Sequence, residues 1–205
     1  MNNRRERWLV VALVCCTIGV AATLAACGPS ALSADYERSY AELDAVPPQV
    51  LKMTGLETLD LRGNRITVIP PEIGNLTELT ELSFLGNQIS ALPPEIGNLT
   101  KLRTVTFWDN RLTALPPEVG AWTGLEECDL SLNQLTALPP EVGRWTQLQR
   151  LEVNSNRLTA LPPELAQLAS LRYLAVVSNS LTTFPPVLTQ MPGLEELYLN
   201  YNPIA

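Results

Sequence analysis

The chain contains no histidine, which removes every Ser-His or Cys-His catalytic pair and every histidine metal site. Cysteine is scarce as well: Cys15, Cys16 and Cys27 belong to an N-terminal leader, so Cys128 is the one cysteine in the remainder. No intrachain disulfide can therefore form beyond the leader. Cys128 stands at a leucine position of a repeated pattern, and we expect a buried apolar side chain rather than a reactive thiol. The sequence predicts no metal and no cofactor.

Basic residues are also few. The 14 lysines and arginines face 21 acidic residues, and the formal net charge is −7. Once the leader is set aside with Arg4, Arg5, Glu6 and Arg7, eleven basic and twenty acidic residues remain, so the net charge becomes −9. A nucleic-acid binder needs a basic footprint on its surface. We therefore expect no nucleic-acid partner.

The chain is rich in one pattern that recurs at a fixed spacing, L-x-x-L-x-L-x-x-N-x-L-x-x-L-P-P-E-[IVL]-x-x-[LW]-x-x. Such a fixed period indicates a solenoid. Six units begin at Leu56, Leu79, Leu102, Leu125, Leu148 and Leu171, and an incomplete seventh begins at Leu194. An asparagine recurs once per unit, at Asn64, Asn87, Asn110, Asn133, Asn156, Asn179 and Asn202.

Each part of the unit has a structural interpretation. The alternating L-x-x-L-x-L predicts a short strand with one buried face, and parallel strands require a crossover between them. The asparagine amide offers donors and an acceptor to backbone groups that would otherwise be buried unpaired, so we predict a ladder of asparagines. The Pro-Pro pair excludes a central strand and a helix interior, which predicts an extended return followed by at most one helical turn.

This pattern resembles the leucine-rich repeat family in its typical LPPEIGNLT form. The resemblance covers 56–205, and a half-unit at 43–55 extends it. It implies an α/β fold: a curved, horseshoe-like solenoid with a parallel concave sheet and mostly irregular or short helical convex segments. Members of the family usually bind proteins and seldom perform chemistry with their repeats.

The segments beside the repeats have separate interpretations. Residues 33–43 place Tyr36, Tyr40 and Leu43 at helical spacing behind Ser33, which predicts an amphipathic cap helix or, alternatively, a partner-binding helix. Residues 33–55 thus form a predicted cap and half-repeat, and 56–205 the repeat domain. At the other end no polar capping segment follows the last unit. A frayed end, a partner that covers it and a truncated gene all stay open.

The leader combines a basic start with an uncharged apolar run from Trp8 to Ala26, which is typical of an export signal. Its end, Leu24-Ala25-Ala26-Cys27, resembles the lipobox of bacterial lipoproteins. The resemblance implies a signal peptide over 1–26, acylation (palmitate) of Cys27, a short tether over 27–32 and an extracytoplasmic location. With glycine after the cysteine, it implies the outer membrane if the cell has one. The alternative is an uncleaved transmembrane helix.

Strand alternation also predicts which residues a ligand would contact. The residues that flank the inward leucines point outward and vary from unit to unit. Exposed aromatic residues among them are suited to anchoring a partner, although a lone exposed tryptophan can be ordinary surface. The candidate partner-binding residues of the concave face are Leu85, Trp108, Glu127, Asp129, Arg150, Glu152, Tyr173, Val177 and Tyr198.

Three functions are compatible with such a surface to different degrees. Recognition of a protein is favoured, and a glycan stacked on the concave aromatic side chains is the alternative. Glu127 and Asp129 form a carboxylate pair on one face, but an open strand face lacks the deep cleft that a hydrolase needs. We therefore expect no enzymatic activity and no catalytic residues.

Overall fold

The computed structural model describes residues 34–205. The predicted signal peptide (1–26), the predicted lipidation site Cys27 and its tether (27–32) lie outside the described residues.

Residues 34–205 form one eight-stranded parallel sheet whose strands follow one another in chain order. Register partners on neighbouring strands occupy equivalent positions of consecutive units, as Thr58 with Glu81 and Glu81 with Thr104. Each unit therefore adds one strand, and the predicted solenoid with a parallel sheet is confirmed. The strands are β1 (Asp35–Glu37), β2 (Thr58–Asp60), β3 (Glu81–Ser83), β4 (Thr104–Thr106), β5 (Glu127–Asp129), β6 (Arg150–Glu152), β7 (Tyr173–Ala175) and β8 (Glu196–Tyr198).

The return between strands passes through a short 3-10 helix, and residues 34–205 contain no α-helix. In the fourth return Pro116 is extended (φ −72°, ψ 150°) and Pro117 opens the helix, where its missing N–H has no partner to lose. The predicted extended return with at most one helical turn is confirmed. The 3-10 helices are η1 (Val50–Lys52), η2 (Pro71–Asn75), η3 (Pro94–Asn98), η4 (Pro117–Ala121), η5 (Pro140–Arg144), η6 (Pro163–Gln167) and η7 (Pro186–Gln190).

The recurring asparagine ties each unit to the one before it. Nδ2 of Asn133 donates to the carbonyl oxygens of Phe107 at 2.8 Å and Leu130 at 3.0 Å. Its Oδ1 accepts the N–H of Leu112 at 2.9 Å. The side chain is only 7% exposed, so these backbone groups have no access to water in its place. The same pattern of bonds recurs at Asn64, Asn87, Asn110, Asn156, Asn179 and Asn202.

The core runs as one column of buried side chains between sheet and returns. Trp122 and Trp145 replace leucine in the late apolar slot, and both are fully buried with their rings stacked 5.9 Å apart. Their Nε1 atoms donate to the carbonyl oxygens of Ile96 and Val119, at 3.0 and 2.8 Å. Cys128 is buried, and burial raises the pKa of its thiol. Both tryptophans are thus core residues, and the predicted burial of Cys128 is confirmed.

The predicted cap helix over 33–43 is wrong for the residues that the structure describes. The segment forms strand β1, which pairs in parallel with β2 and places Tyr36 beside Leu59. Tyr40 and Glu42 have φ values of 52° and 56°, which no right-handed helix accommodates. The free edge of β2 offers backbone groups that an isolated helix would leave unpaired, so pairing overrides the local helical spacing. The strand replaces the predicted helix, while residues 43–55 form a return with a 3-10 helix at Val50–Lys52, as the predicted half-repeat requires.

Candidate binding surface on the concave face

Three columns of side chains point away from the core along the sheet. The first column begins with Thr58 and Glu81, the second with Asp60 and Ser83, and the third with Arg62, just beyond the strand. Most of these side chains are half-buried or exposed, while the leucines between them are buried. Exceptions are Asp60, Ser131 and Ala175, which point outward but are 6%, 3% and 2% exposed.

Leu85 and Trp108 occupy the third column on adjacent units. The N–H groups of Gly63 and Gly86 donate to their carbonyl oxygens, at 2.7 and 2.8 Å, which continues the sheet pairing past the strands. Both side chains are half-buried, so Trp108 is less exposed than we expected from the sequence. The pair forms an apolar patch, the Leu85–Trp108 patch, on the concave face.

A cavity of about 180 Å³ opens over β4, β5 and β6, and its lining residue Thr106 accepts the N–H of Trp108 through its hydroxyl. It brings together four of the predicted residues, Glu127, Asp129, Arg150 and Glu152, with Thr104 and Thr106 on the adjacent strand. The Asp129 Oδ1 accepts the N–H of Ser131 at 2.9 Å. Burial raises the pKa of Asp129, and the hydrogen bond from Ser131 partly offsets this increase. The charge of Glu152 raises the pKa further, and the charge of Arg150 lowers it by less.

Arg150 has its guanidinium occupied by two neighbours. Its Nε donates to Oε1 of Glu152 at 2.8 Å, and its Cζ lies 3.6 Å from the ring centroid of Tyr173. Tyr173 in turn contacts Tyr198, with ring centroids 5.3 Å apart. The Tyr198 hydroxyl donates to Oε2 of Glu196 at 3.0 Å, and this bond raises the pKa of Tyr198.

Val177 and the two tyrosines stand in different columns of the face. Val177 stands in the third column, whereas Tyr173 and Tyr198 occupy the first and second. The Val177 N–H donates to Oδ1 of Asn154 at 2.9 Å, and the Asn154 N–H donates to Oγ of Ser131 at 3.1 Å. These bonds belong to a polar row along the third column.

Sequence reasoning missed two contacts on this face. Asp60 forms an ion pair with Arg62, and Glu196 holds the hydroxyl of Tyr198. In both pairs the partners are two residues apart in extended chain, and side chains at that spacing share a face. The i, i+2 spacing of an acid and its partner is therefore a signal from which both contacts could have been predicted.

The face offers no arrangement suited to metal chemistry. Among residues 34–205, no three His, Cys, Asp or Glu side chains are grouped so that they could hold a metal ion. No helix in the same range is long and apolar enough to span a membrane.

Comparisons with known proteins agree with this architecture. Two sequence models of the leucine-rich repeat match, one described as "Leucine rich repeat" over residues 146–204 and one as "Leucine Rich repeats (2 copies)" over residues 54–95. The chain belongs to the leucine-rich repeat family. The family and its fold are typically non-enzymatic binding modules. No curated protein matches the chain significantly.

Several solved structures are similar to the described solenoid. A leucine-rich repeat protein of Leptospira interrogans is 29% identical with a TM-score of 0.61, over 81% of this chain and 54% of its own. The structure of PEPR1–AtPEP1 is 27% identical with a TM-score of 0.69, over 76% and 23% of the two chains. The plant peptide hormone receptor RGFR1, in complex with RGF2, is 25% identical with a TM-score of 0.62, over 77% and 30%. The chain thus spans about half the length of the Leptospira protein.

Proposed function

We propose that this protein is a binding module that recognises a protein or peptide on its concave face. The observation that carries the proposal is the Leu85–Trp108 patch, a half-buried apolar pair whose outward neighbours Ser83, Thr106 and Ser131 are polar. Large aromatic side chains flanked by polar ones are the residues that most often dominate the binding energy of protein interfaces. The inward positions of every unit are filled by packing, so these outward positions remain for recognition.

The similar structures give this proposal support of a second kind. One is the complex PEPR1–AtPEP1, and the other is a plant peptide hormone receptor with RGF2. Both chains share the repeat architecture over about three-quarters of this one. A leucine-rich repeat surface of this kind is therefore compatible with a peptide or protein ligand.

Glycan binding, the alternative, has weaker support. One face of the Tyr173 ring is covered by the guanidinium of Arg150, and its neighbour Tyr198 leans against it. A sugar that stacked on this face of the Tyr173 ring would first have to displace Arg150.

Capture of a partner from an envelope extract, followed by titration, tests the proposal. We expect Trp108→Ala and Tyr173→Ala to weaken binding of the captured protein while the fold is retained. The matched control is Glu118→Gln, an exposed change on the convex return. If the control variant loses the partner and the two concave variants keep it, the binding surface lies on the other side of the solenoid.

We further infer that the module is held outside the cytoplasmic membrane by acylation of Cys27, and on the outer membrane if the cell has one. The support is the basic start, the apolar run and the Leu-Ala-Ala-Cys ending of the leader. Two or more acyl chains would anchor the protein stably.

Cell fractionation of Cys27→Ala tests the anchor. We expect the variant to stay unprocessed or to leave its normal membrane, with unchanged unfolding of the repeats, because the anchor and the solenoid are separate parts. A variant that is processed and membrane-bound as before would contradict lipidation. If wild type and variant are both membrane-bound at the full, uncleaved length, the uncleaved transmembrane helix is favoured.

A further inference from the structure

Charge is distributed unevenly along the concave face. Over β2 to β8 the outward positions carry six carboxylates but only two guanidinium groups, Arg62 and Arg150. Arg62 is paired with Asp60, so the charge there is balanced. Asp129 occupies the same column as Asp60. Two residues after Asp129, at the position equivalent to Arg62, stands Ser131, which carries no charge.

Arg150 forms no ion pair with the carboxylates of β5. It is the register partner of Glu127 on β5 and of Tyr173 on β7, so it could lean either way. Its guanidinium lies over Tyr173 and bonds to Glu152, away from β5. Within residues 34–205 no lysine or arginine lies within ion-pair distance of Glu127 or Asp129.

The cavity follows from this arrangement. On β4 the outward side chains beside Glu127 and Asp129 are the short Thr104 and Thr106. On the opposite side the Arg150 side chain leans toward β7. Space therefore remains above β5 between Thr106 and Arg150, and the carboxylates of Glu127 and Asp129 line it.

We propose that the sheet face over β3–β6 docks an extended segment of a protein partner that carries a large apolar side chain and, two residues away, a lysine or arginine. The apolar side chain packs on the Leu85–Trp108 patch, and the cation enters the cavity between Glu127 and Asp129. Charge complementarity selects this occupant, because a segment with an acidic residue at that point would face two carboxylates that have no ion-pair partner. The inference rests on the proposed function and specifies its partner.

The spacing follows from the register of the sheet. Trp108 lies beside Ser131 on the next unit, and Asp129 is two residues before Ser131. With strands about 4.8 Å apart and residues about 3.3 Å apart along a strand, Trp108 and Asp129 are separated by roughly 8 Å. In an extended chain, side chains on one face recur every two residues, at about 7 Å. A spacing of one or three residues would turn the cation away from the cavity.

Short peptides on an array, titrated with the full-length chain, test the proposal. One series carries a large apolar residue and a lysine two positions apart. Matched series replace the lysine with norleucine or glutamate, or move it by one position. We expect the first series to bind at least about tenfold more tightly than each matched series, and added salt to weaken its binding.

Variants of the protein complete the test. Asn at position 129 can still accept the Ser131 N–H, so Asp129→Asn removes the charge and keeps the local hydrogen bond. We expect Asp129→Asn and Glu127→Gln to reduce the affinity for the lysine peptides by about tenfold. The affinity for the norleucine peptides should stay unchanged. Glu118→Gln is the control on the convex return, and thermal unfolding verifies the fold of each variant.

Each outcome has a definite meaning. Three results would overturn the proposal that the partner supplies a cation. They are equal binding of lysine and norleucine peptides, unchanged affinity of Asp129→Asn for the lysine peptides, and no peptide binding up to about 1 mM. If the captured partner still depends on Trp108 in that event, the concave binding function survives and only its partner chemistry is wrong. If Trp108→Ala also leaves partner binding unchanged, the concave binding surface fails as well.

Discussion

The convex returns and the concave sheet of each repeat unit differ in how closely their side chains approach the neighbouring unit. On the convex side a Cβ added at Gly97 would lie 2.8 Å from the Glu118 backbone oxygen of the next unit, so the returns pack almost in contact. On the concave side the equivalent positions hold residues as different as Glu127, Arg150 and Tyr173. Close approach accounts for glycine at this position in four consecutive returns, and open solvent permits variation on the other side. Stability and recognition should therefore be separable by mutation.

The largest loss of stability should come from the buried tryptophans. Trp122→Ala removes a fully buried ring that stacks on Trp145, and we expect it to cost about 3–5 kcal/mol. Trp122→Leu is the matched control, because Leu76 and Leu99 fill the same slot in other units, and it should cost much less. Urea unfolding measures both. A Trp122→Ala protein that is as stable as wild type would contradict the packing described here.

A smaller loss is expected at the asparagine ladder. Asn133→Ala strands carbonyl oxygens and the Leu112 N–H in a buried site, at a cost of about 1–3 kcal/mol. Asn200 offers the control, because it is an exposed asparagine just beyond the last strand. Equal unfolding midpoints for Asn133→Ala and Asn200→Ala would mean that the ladder contributes little.

The close packing of the returns can be tested at two glycines. Gly97→Ala forces the neighbouring return outward, and we expect a loss of about 1–3 kcal/mol. At Gly124 an added Cβ would meet only the Leu102 oxygen at 3.7 Å, an ordinary contact. Gly124→Ala should therefore leave thermal stability nearly unchanged, and an equal effect of the two changes would argue against close approach as the reason for glycine.

The smallest effect on stability depends on pH. Burial raises the pKa of Asp129 in the folded protein above the usual value of about 3.9 for an unfolded aspartate. The folded state therefore binds the Asp129 proton more tightly than the unfolded state does. The stability that this tighter binding contributes is fully present below about pH 4 and is lost as pH rises through the raised pKa. Asp129→Asn has no carboxyl proton to lose, so its stability relative to wild type should increase as pH rises through this window. Urea unfolding between about pH 3 and 7, with Glu118→Gln as control, measures the difference. A constant difference would contradict the burial of this carboxylate.

The features that could be predicted from the sequence are those that recur in every repeat unit. Strand register, the 3-10 returns and the asparagine bonds recur once in every unit, so the copies of each signal reinforce one another. The first unit was misread because Arg38 and Ala41 replace the expected leucine and asparagine, and the local spacing of Tyr36, Tyr40 and Leu43 imitated a helix. Only pairing with β2, a non-local interaction, decides the structure there.

The candidate surface was predictable residue by residue, but its internal contacts were not. Alternation places Arg150, Glu152 and Tyr173 on one face. It does not tell whether Arg150 leans toward Glu127 or toward Tyr173, because this depends on side chains of three units at once. The resulting uncompensated charge on β5 emerges only from the assembled sheet.

The most direct test of the separation between packing and recognition compares Trp108→Ala with wild type by urea unfolding and by titration of the captured partner. Our account predicts stability within about 0.5 kcal/mol of wild type, as at other surface sites, and binding weaker by about 2 kcal/mol or more. A folded Trp108→Ala protein with unchanged affinity would contradict recognition at the Leu85–Trp108 patch.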